Sequence, residues 1–328
     1  MRCGGSEIRM GRGLLTEVPS GDGQSAILTQ PGAESIARSV AERNETPVLV
    51  LPDGEAAKTL EVAERTYHWL DSLNIDRSGT IVAVGGGTVT DLAGFVASTY
   101  LRGIRLVSVP TTLLGAVDAS IGGKTAVNLD AKNLVGTFWD PTAVFVDIEI
   151  LEQLPASLRR EGMAEIAKAG LIGDLQLVEV LEERGTDAAL DRIVRDAIAV
   201  KVRVVTTDPR EEGVRAILNY GHTVGHAIEL VTGIAHGDAV SIGMTAAAEL
   251  SARLLGFSEA ARQRALLAGL GLPTTWRCEI EPVMRLLRSD KKRRRGSLNM
   301  VLLERIGAPN VIAVGEQDVR SVLSDTLS

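Results

Sequence analysis

The sequence predicts an α/β amino-terminal domain built on a parallel sheet, followed by a mostly α-helical carboxy-terminal domain. Short β-branched runs alternate with amphipathic stretches as far as about residue 150, and after Leu154-Pro155 the pattern changes to long helical periodicities. The chain has 328 residues, 45% of them hydrophobic, which is room for more than one core. The boundary is expected near residue 152, giving domains 1–152 and 153–328.

In chain order, the expected strands of the first half are Ser25–Leu28, Pro47–Leu51, Thr80–Val84, Leu106–Val109 and Ala143–Val146. Amphipathic stretches at Ala56–Leu73 and Val89–Tyr100 separate them, and continuous apolar strands between helices imply a parallel sheet covered on both faces. The second half carries helical periodicity over Gly162–Leu171, Ala188–Val205, Ala216–Val231 and Gly237–Leu255. Gly269, Gly271 and Pro273 separate further helices, and Leu298–Leu303 reads as a strand or the edge of the core. There is no internal repeat or low-complexity tract.

Composition excludes several function classes. A net charge of −7, from 35 Lys and Arg against 42 Asp and Glu, argues against a broad nucleic-acid surface, which needs clustered cations. The basic run Lys291-Lys292-Arg293-Arg294-Arg295 is local and reads at first as a solvated loop. Cys3, near a flexible start, and Cys278, a buried filler, make no disulfide framework and fit a reducing cytoplasm. No apolar run reaches the roughly 20 residues of a membrane span, and Met1–Met10 lacks the apolar core of a signal peptide.

Ile81–Val84 runs into Gly85-Gly86-Gly87 and a helix, so the backbone can approach a phosphate beside a helix N-terminus. The G-x-G-x-x-G fingerprint is absent, and a tight structural turn is an equal reading. Asp91, expected on the first helical turn, suits either a ribose hydroxyl or the helix dipole. Pro110-Thr111-Thr112 ends another strand, where ligands of open parallel sheets collect. The segment Ser120–Thr125 resembles a P-loop only superficially, because Asp118 stands where that motif needs its first glycine. A glycine loop offering Lys124 to a phosphate is what remains.

Three of the four histidines, His222, His226 and His236, fall within fifteen residues. His222 and His226 at i and i+4 share one helical face, which fits either hydrogen-bonded core histidines or a metal pair. The third histidine favours a metal, because three protein ligands with an open position make a catalytic zinc site. Glu165, Glu229 and Asp238 are the candidate carboxylates, and spacing does not choose between them.

Taken together, several segments resemble the 3-dehydroquinate synthase family over nearly the whole chain. They include Asp53–Lys58, Gly85-Gly86-Gly87 with Asp91–Phe95, Tyr100–Gly103, Val109–Leu114, Val117–Thr125 and Lys132–Leu134. In the second half they are Gly162–Lys168, Leu218–Glu229, His236-Gly237 and Asp290–Lys292. The resemblance implies a dehydroquinate synthase-like fold: a Rossmann-like parallel sheet, then a mostly α-helical metal-binding domain. It implies that Glu165, His222 and His236 hold Zn²⁺, with Co²⁺ an alternative, and that His226 faces substrate instead. Glu55, Lys58, Gly86, Gly87, Asp91, Thr111, Thr112, Lys124 and Lys132 match contacts to NAD. Asp118, Lys168, Lys201 and His226 match catalytic positions in the substrate pocket. Lys124, Asn133, Arg215, Asn219 and one of Lys291 and Lys292 match substrate contacts, and Arg102 matches a residue lent across a homodimer interface.

The implied reaction converts 3-deoxy-D-arabino-heptulosonate 7-phosphate to 3-dehydroquinate and phosphate. It runs through transient oxidation by NAD, elimination, reduction and aldol closure. Lys124, Arg215 and Lys201 would supply cations for the phosphate and carboxylate. The chain departs from the family pattern at Gln30, where an Asp is usual, and at Thr90, where Gly is common. It is also one residue short between Lys124 and Lys132. Rival readings are another sugar-phosphate cyclase such as amino-dehydroquinate synthase, a polyol dehydrogenase of similar fold, and a non-catalytic metabolite-binding protein. Arg215 favours an acid substrate among them.

Overall fold

The structure is a computed structural model describing residues 1–19, 24–43, 45–293 and 298–327, with the backbone alone for 290–293. The chain divides into two compact units, Met1–Pro155 and Ala156–Ser328.

Unit 1 contains strands β1 (Arg2–Cys3), β2 (Ser6–Gly11), β3 (Ser25–Thr29), β4 (Val48–Val50), β5 (Thr80–Gly85), β6 (Arg105–Pro110), β7 (Lys124–Val127), β8 (Val135–Phe138) and β9 (Ala143–Asp147). Its helices are α1 (Glu34–Ala41), α2 (Leu60–Ser72), α3 (Gly87–Thr99) and α4 (Ile148–Glu152). Seven strands form one sheet in the order β1-β2-β9-β6-β5-β3-β4, parallel throughout except for the short edge strand β1. Every residue of β3 and β5 is buried, which is why these strands read as unbroken apolar runs. Alternate residues serve opposite faces: Ile81 and Ala83 join a core with Leu92 and Phe95, while Val82 and Val84 join one with Ala37 and Val40. From β3 the chain steps outward to β4 and then back across β3 to β5, so strand order reverses between β3 and β5.

All five expected strands are present. The structure adds β2, the hairpin β7–β8 and the short β1, which the sequence pattern does not predict. Cys3, placed by its sequence position in a flexible start, is instead buried in β1.

Unit 2 contains α5 (Ala156–Gly173), α6 (Leu175–Arg184), α7 (Leu190–Thr207), α8 (His222–Thr232), α9 (His236–Leu255), α10 (Ala260–Gly269), α11 (Ile280–Arg293), the hairpin β10 (Leu298–Arg305) and β11 (Ala308–Val314), and α12 (Glu316–Thr326). α5 is buried without interruption over residues 162–172, as suits a helix enclosed by others. The helix expected over Ala216–Val231 is broken in two. A 3₁₀ stretch, Val214–Asn219, ends before Gly221, whose φ of 79° lies in the left-handed region, and α8 starts afresh at His222. Close packing holds that break: a Cβ on Gly243 of α9 would lie 2.0 Å from the Gly221 carbonyl oxygen, and one on Gly225 would lie 2.9 Å from that of Ala239. α8 and α9 therefore touch backbone to backbone. No helix among the described residues is long and apolar enough to cross a membrane.

Candidate active site

In unit 1 the glycine turn sits at the carboxyl end of β5, beside the reversal of strand order, where open parallel sheets take their ligands. A Cβ on Gly86 would come within 3.2 Å of Thr112, and one on Gly87 within 3.1 Å of Ala119, so side chains there would crowd the cradle at the start of α3. Thr112 Oγ1 accepts from Gly115 N–H at 3.0 Å, which ties the end of β6 to a π-helical turn, Gly115–Ala119, that carries Asp118. Thr111 is buried and donates its N–H to the Gly85 carbonyl at 2.9 Å.

Asp91 lies beyond the first turn of α3 and pairs with buried Lys58 at 2.6 Å, instead of capping the helix. Burial pushes its carboxyl up to about 6, against the pull of Lys58 and with a further push from Glu55 and Asp118. Lys58 Nζ also contacts Asn133 Oδ1. Asn128 Oδ1 accepts from Asn133 N–H at 2.8 Å, and Asn128 Nδ2 donates to Glu55 at 2.7 Å. Asn133, expected among the substrate contacts, is thus hydrogen-bonded to Lys58 and Asn128, next to residues expected at the cofactor. Gln30 donates to the carbonyls of Pro52 and Gly54 at 2.8 and 2.9 Å, so it secures the loop before Glu55. Lys124 and Lys132 are exposed. Gly122 and Gly123 have φ of 95° and 66° and lead into β7, not into the helix a P-loop requires. Arg102 is exposed on a turn where it and Leu101 both take left-handed φ, 68° and 50°.

In unit 2, Glu165 from the middle of α5 meets the first residues of α8 and α9. A Cβ on Gly237 would fall 2.5 Å from the Glu161 carbonyl, so glycine there lets α9 start against α5 one turn before Glu165. Glu165 Oε1 lies 3.3 Å from His222 Nε2 and 3.5 Å from His236 Nε2. Tetrahedral zinc with bonds of about 2.0–2.1 Å separates its ligand atoms by roughly 3.3 Å, so these spacings fit an ion. Both Glu165 oxygens are buried and lack a hydrogen bond of good geometry, although Lys168 Nζ contacts one of them. A buried carboxylate in that condition suits a metal ligand.

Burial would raise the Glu165 carboxyl, but Lys168 and the two imidazoles outweigh it and hold it well below the usual carboxylate range. Burial, with Lys168, pushes the His222 imidazole down. Burial also opposes charge on His236, yet the facing carboxylates of Glu165 and Glu229 raise it to about 10. Without a metal His236 is therefore a cation, and metal must displace that proton. His226 has an exposed side chain, its ring 5.1 Å from that of His222 and 5.8 Å from that of His236. Desolvation and then the neighbouring imidazoles depress it to about 3, so it is neutral at physiological pH.

Of the other candidate carboxylates, Asp238 pairs with Arg160 at 3.0 Å, and Glu229 Oε2 lies 3.0 Å from His236 Nδ1. Lys168, Lys201 and Arg215 are buried. Asn219 Nδ2 donates to Glu211 at 3.0 Å. The side chains of Lys291 and Lys292 lie outside the described residues, although their backbone completes α11. Sequence reasoning missed Tyr220, whose buried hydroxyl donates to Gln263 at 2.8 Å, while Gln263 donates to the Met244 carbonyl at 2.9 Å. An aromatic between Asn219 and Gly221 was its only signal.

Residues 48–161 match the family profile described as 3-dehydroquinate synthase N-terminal, and residues 162–293 match 3-dehydroquinate synthase C-terminal. A 3-dehydroquinate synthase of Thermobifida fusca (strain YX) is 45% identical over 329 residues, covering 94% of this chain and 89% of that protein. Among solved structures, a 2-deoxy-scyllo-inosose synthase complexed with carbaglucose-6-phosphate, NAD⁺ and Co²⁺ superposes with a TM-score of 0.88 at 31% identity, over 98% of this chain and 96% of that one. The 2-epi-5-epi-valiolone synthase of Streptomyces hygroscopicus subsp. jinggangensis 5008, with NAD⁺ and Zn²⁺ bound, gives 0.88 at 25% identity over the same shares.

Proposed function

The chain belongs to the 3-dehydroquinate synthase family, and from that premise we propose that it converts 3-deoxy-D-arabino-heptulosonate 7-phosphate to 3-dehydroquinate and phosphate, a step of aromatic amino-acid biosynthesis. It is a phosphorus–oxygen lyase that uses NAD and a divalent metal, Zn²⁺ or Co²⁺. Residues 1–152 form the NAD-binding domain and residues 153–328 the metal- and substrate-binding domain. It acts in the cytoplasm. The single observation that carries the reading is Glu165 Oε1, buried without a good hydrogen bond and faced by His222 Nε2 and His236 Nε2 at 3.3 and 3.5 Å.

When bound, NAD supplies a reversible hydride acceptor and the metal supplies a Lewis acid beside the hydroxyl to be oxidised. Glu165, His222 and His236 hold that metal. Gly86 and Gly87 admit the nucleotide phosphates to the N-terminus of α3, and Glu55, Lys58, Asp91, Thr111, Thr112 and Lys132 orient the rest of the cofactor. In unit 1, Lys124 offers a cation to the substrate phosphate, with Asp118 and Asn133 positioned for its hydroxyls. In unit 2, buried Arg215 takes the carboxylate, Asn219 and Lys201 fix the ring, and Lys168 holds charge beside Glu165. His226, its ring open to solvent beside those of His222 and His236, faces the substrate. Lys291 or Lys292 adds a further cation. Arg102, exposed on its left-handed turn, reaches the phosphate of the other subunit in a homodimer.

The neutral-sugar cyclases among the structural neighbours suggest a second reading, which Arg215 disfavours because a buried guanidinium there suits an acid. The test incubates purified protein with the heptulosonate phosphate, NAD⁺ and Zn²⁺ and follows phosphate and 3-dehydroquinate together. Equal release of both is expected, with no net change in nicotinamide absorbance. No product, with turnover of a neutral sugar phosphate instead, overturns the assignment. A sedimentation measurement giving a monomer at assay concentration overturns the role of Arg102.

A further inference from the structure

Among the candidate carboxylates, Glu229 has no part in the proposed reaction, yet it touches His236 directly. His236 Nδ1 and Glu229 Oε2 are 3.0 Å apart, while the other ring nitrogen, Nε2, lies 3.5 Å from Glu165 Oε1. A neutral imidazole has one lone pair to give, and it is on Nε2 only if the proton is on Nδ1. An ionised carboxylate only accepts, so Glu229 holds the proton on Nδ1, and once metal displaces the other proton the Nε2 lone pair faces Glu165.

His222 is arranged the same way. Its Nδ1 faces the Tyr220 carbonyl oxygen at 3.2 Å, and its Nε2 lies 3.3 Å from the same Glu165 oxygen. Both rings therefore have an acceptor behind Nδ1 and converge through Nε2 on one point. The acceptors differ in strength: one is a neutral carbonyl, the other an anion. Glu229 is held in place because α8, which carries it, packs backbone to backbone against α9, whose first residue is His236.

His226, Glu229 and His236 could also be read as a second metal trio, since one ligand atom from each lies within 4.8 Å of the others. However, 3.0 Å is an ordinary hydrogen-bond separation, shorter than the roughly 3.3 Å that two ligands of one tetrahedral ion keep. His236 also cannot turn its Nδ1 lone pair to that trio and its Nε2 lone pair to Glu165 while neutral.

We propose that Glu229 is a positioning residue that locks His236 in the Nδ1–H tautomer and thereby sets the metal affinity of the Glu165–His222–His236 site. This rests on reading those three residues as the ligands. It also implies that the anionic partner makes His236 a more basic ligand than His222.

The test uses the full chain, stripped with a chelator and titrated with Co²⁺, with affinity read from visible absorption under competition. Glu229→Ala is expected to weaken Co²⁺ by about 10–100-fold. Glu229→Gln, whose amide oxygen can still accept from Nδ1–H, is expected to recover most of that loss. Wild-type affinity in Glu229→Ala, or a Gln variant as weak as Ala, overturns the proposal. A measurement needing no variant uses ¹⁵N shifts of the zinc-loaded wild type: a proton on Nδ1 of His236 supports it and a proton on Nε2 overturns it. His222→Ala separates the two readings. If it keeps full Co²⁺ affinity, the ligand set itself is wrong; if it loses the metal while Glu229→Ala does not, only the role of Glu229 fails.

Discussion

Lys58 Nζ lies 2.6 Å from Asp91 Oδ2, and this pair sits at the centre of the hydrogen-bonded group behind the glycine turn. Burial nevertheless dominates the carboxyl, which is pushed up from 3.8 to about 6. A carboxyl raised on folding contributes stability that is fully present below about pH 4 and is lost as pH rises through about 6. Asp91→Asn removes this titration. Urea unfolding midpoints of the NAD-free protein, measured from pH 4 to 7, should therefore move in favour of the Asn variant as pH rises. The swing should be at most about 3 kcal/mol, the equivalent of roughly two pKa units. Parallel pH profiles for the two proteins would show that Asp91 does not titrate here.

The three clustered histidines should separate in a metal-binding experiment. His236→Ala removes an Nε2 that lies 3.5 Å from Glu165, whereas His226→Ala removes an exposed ring on the open side of the cluster. Loss of a ligand should weaken Co²⁺ by more than the ~10–100-fold expected for loss of an orienting partner. His226→Ala should keep its metal and lose turnover. Equal metal loss in both variants would return His226 to the ligand set.

The i, i+4 spacing of His222 and His226 was legible in the sequence, but spacing does not choose a ligand pair, because a ligand set depends on which nitrogens converge. The strands around Ile81–Val84 were legible because both faces of that sheet are covered, leaving no polar alternation to misread. β2 was not legible: only its first four residues alternate between buried and exposed, in a polar segment, Ser6–Gly11, next to the sheet edge. The break at Gly221 was invisible for a different reason. Helical periodicity continues through Ala216–Val231 with Gly221 as the single local hint, and the close packing of α9, about twenty residues later, against that glycine leaves no local trace. The same holds for Asn133, whose place beside Lys58 depends on a chain reversal around Asn128.

That approach predicts the effect of Gly243→Ala. The new methyl would stand 2.0 Å from the Gly221 carbonyl oxygen and 2.8 Å from the Gly225 nitrogen, with backbone on both sides and no flexible side chain to give way. Overpacking of this kind costs about 1–3 kcal/mol. Because α8 and α9 deliver His222 and His236, Co²⁺ affinity should fall along with the thermal midpoint. Gly233→Ala, at the end of α8 with nothing within 4 Å, should lower stability through its φ of 70° while leaving metal affinity unchanged. If both variants lose metal equally, the loss comes from general destabilisation and not from the helix crossing.

The substrate side of unit 2 depends on a carboxylate that never needs to touch substrate. Asp208 Oδ2 accepts from Gly213 N–H at 2.8 Å and Arg215 N–H at 2.9 Å, and its Oδ1 accepts from Glu212 N–H at 2.9 Å. These amides, that of Arg215 foremost, hold the carboxyl below its usual range, so it stays ionised wherever the enzyme is assayed. The Arg215 side chain is tied back as well, donating from Nη1 to the Pro209 carbonyl at 2.5 Å. Asp208→Ala releases three amides at once and loosens the segment that presents Arg215. A guanidinium that binds the carboxylate equally in ground and transition states affects KM and leaves kcat alone. Steady-state kinetics should then show KM for the heptulosonate phosphate rising about 10-fold, which is about 1.4 kcal/mol, with kcat nearly unchanged. Asp208→Asn retains one accepting oxygen and should fall between Ala and wild type. A fall in kcat at constant KM would instead mean that Arg215 acts on the reacting atoms and not on the anchored acid.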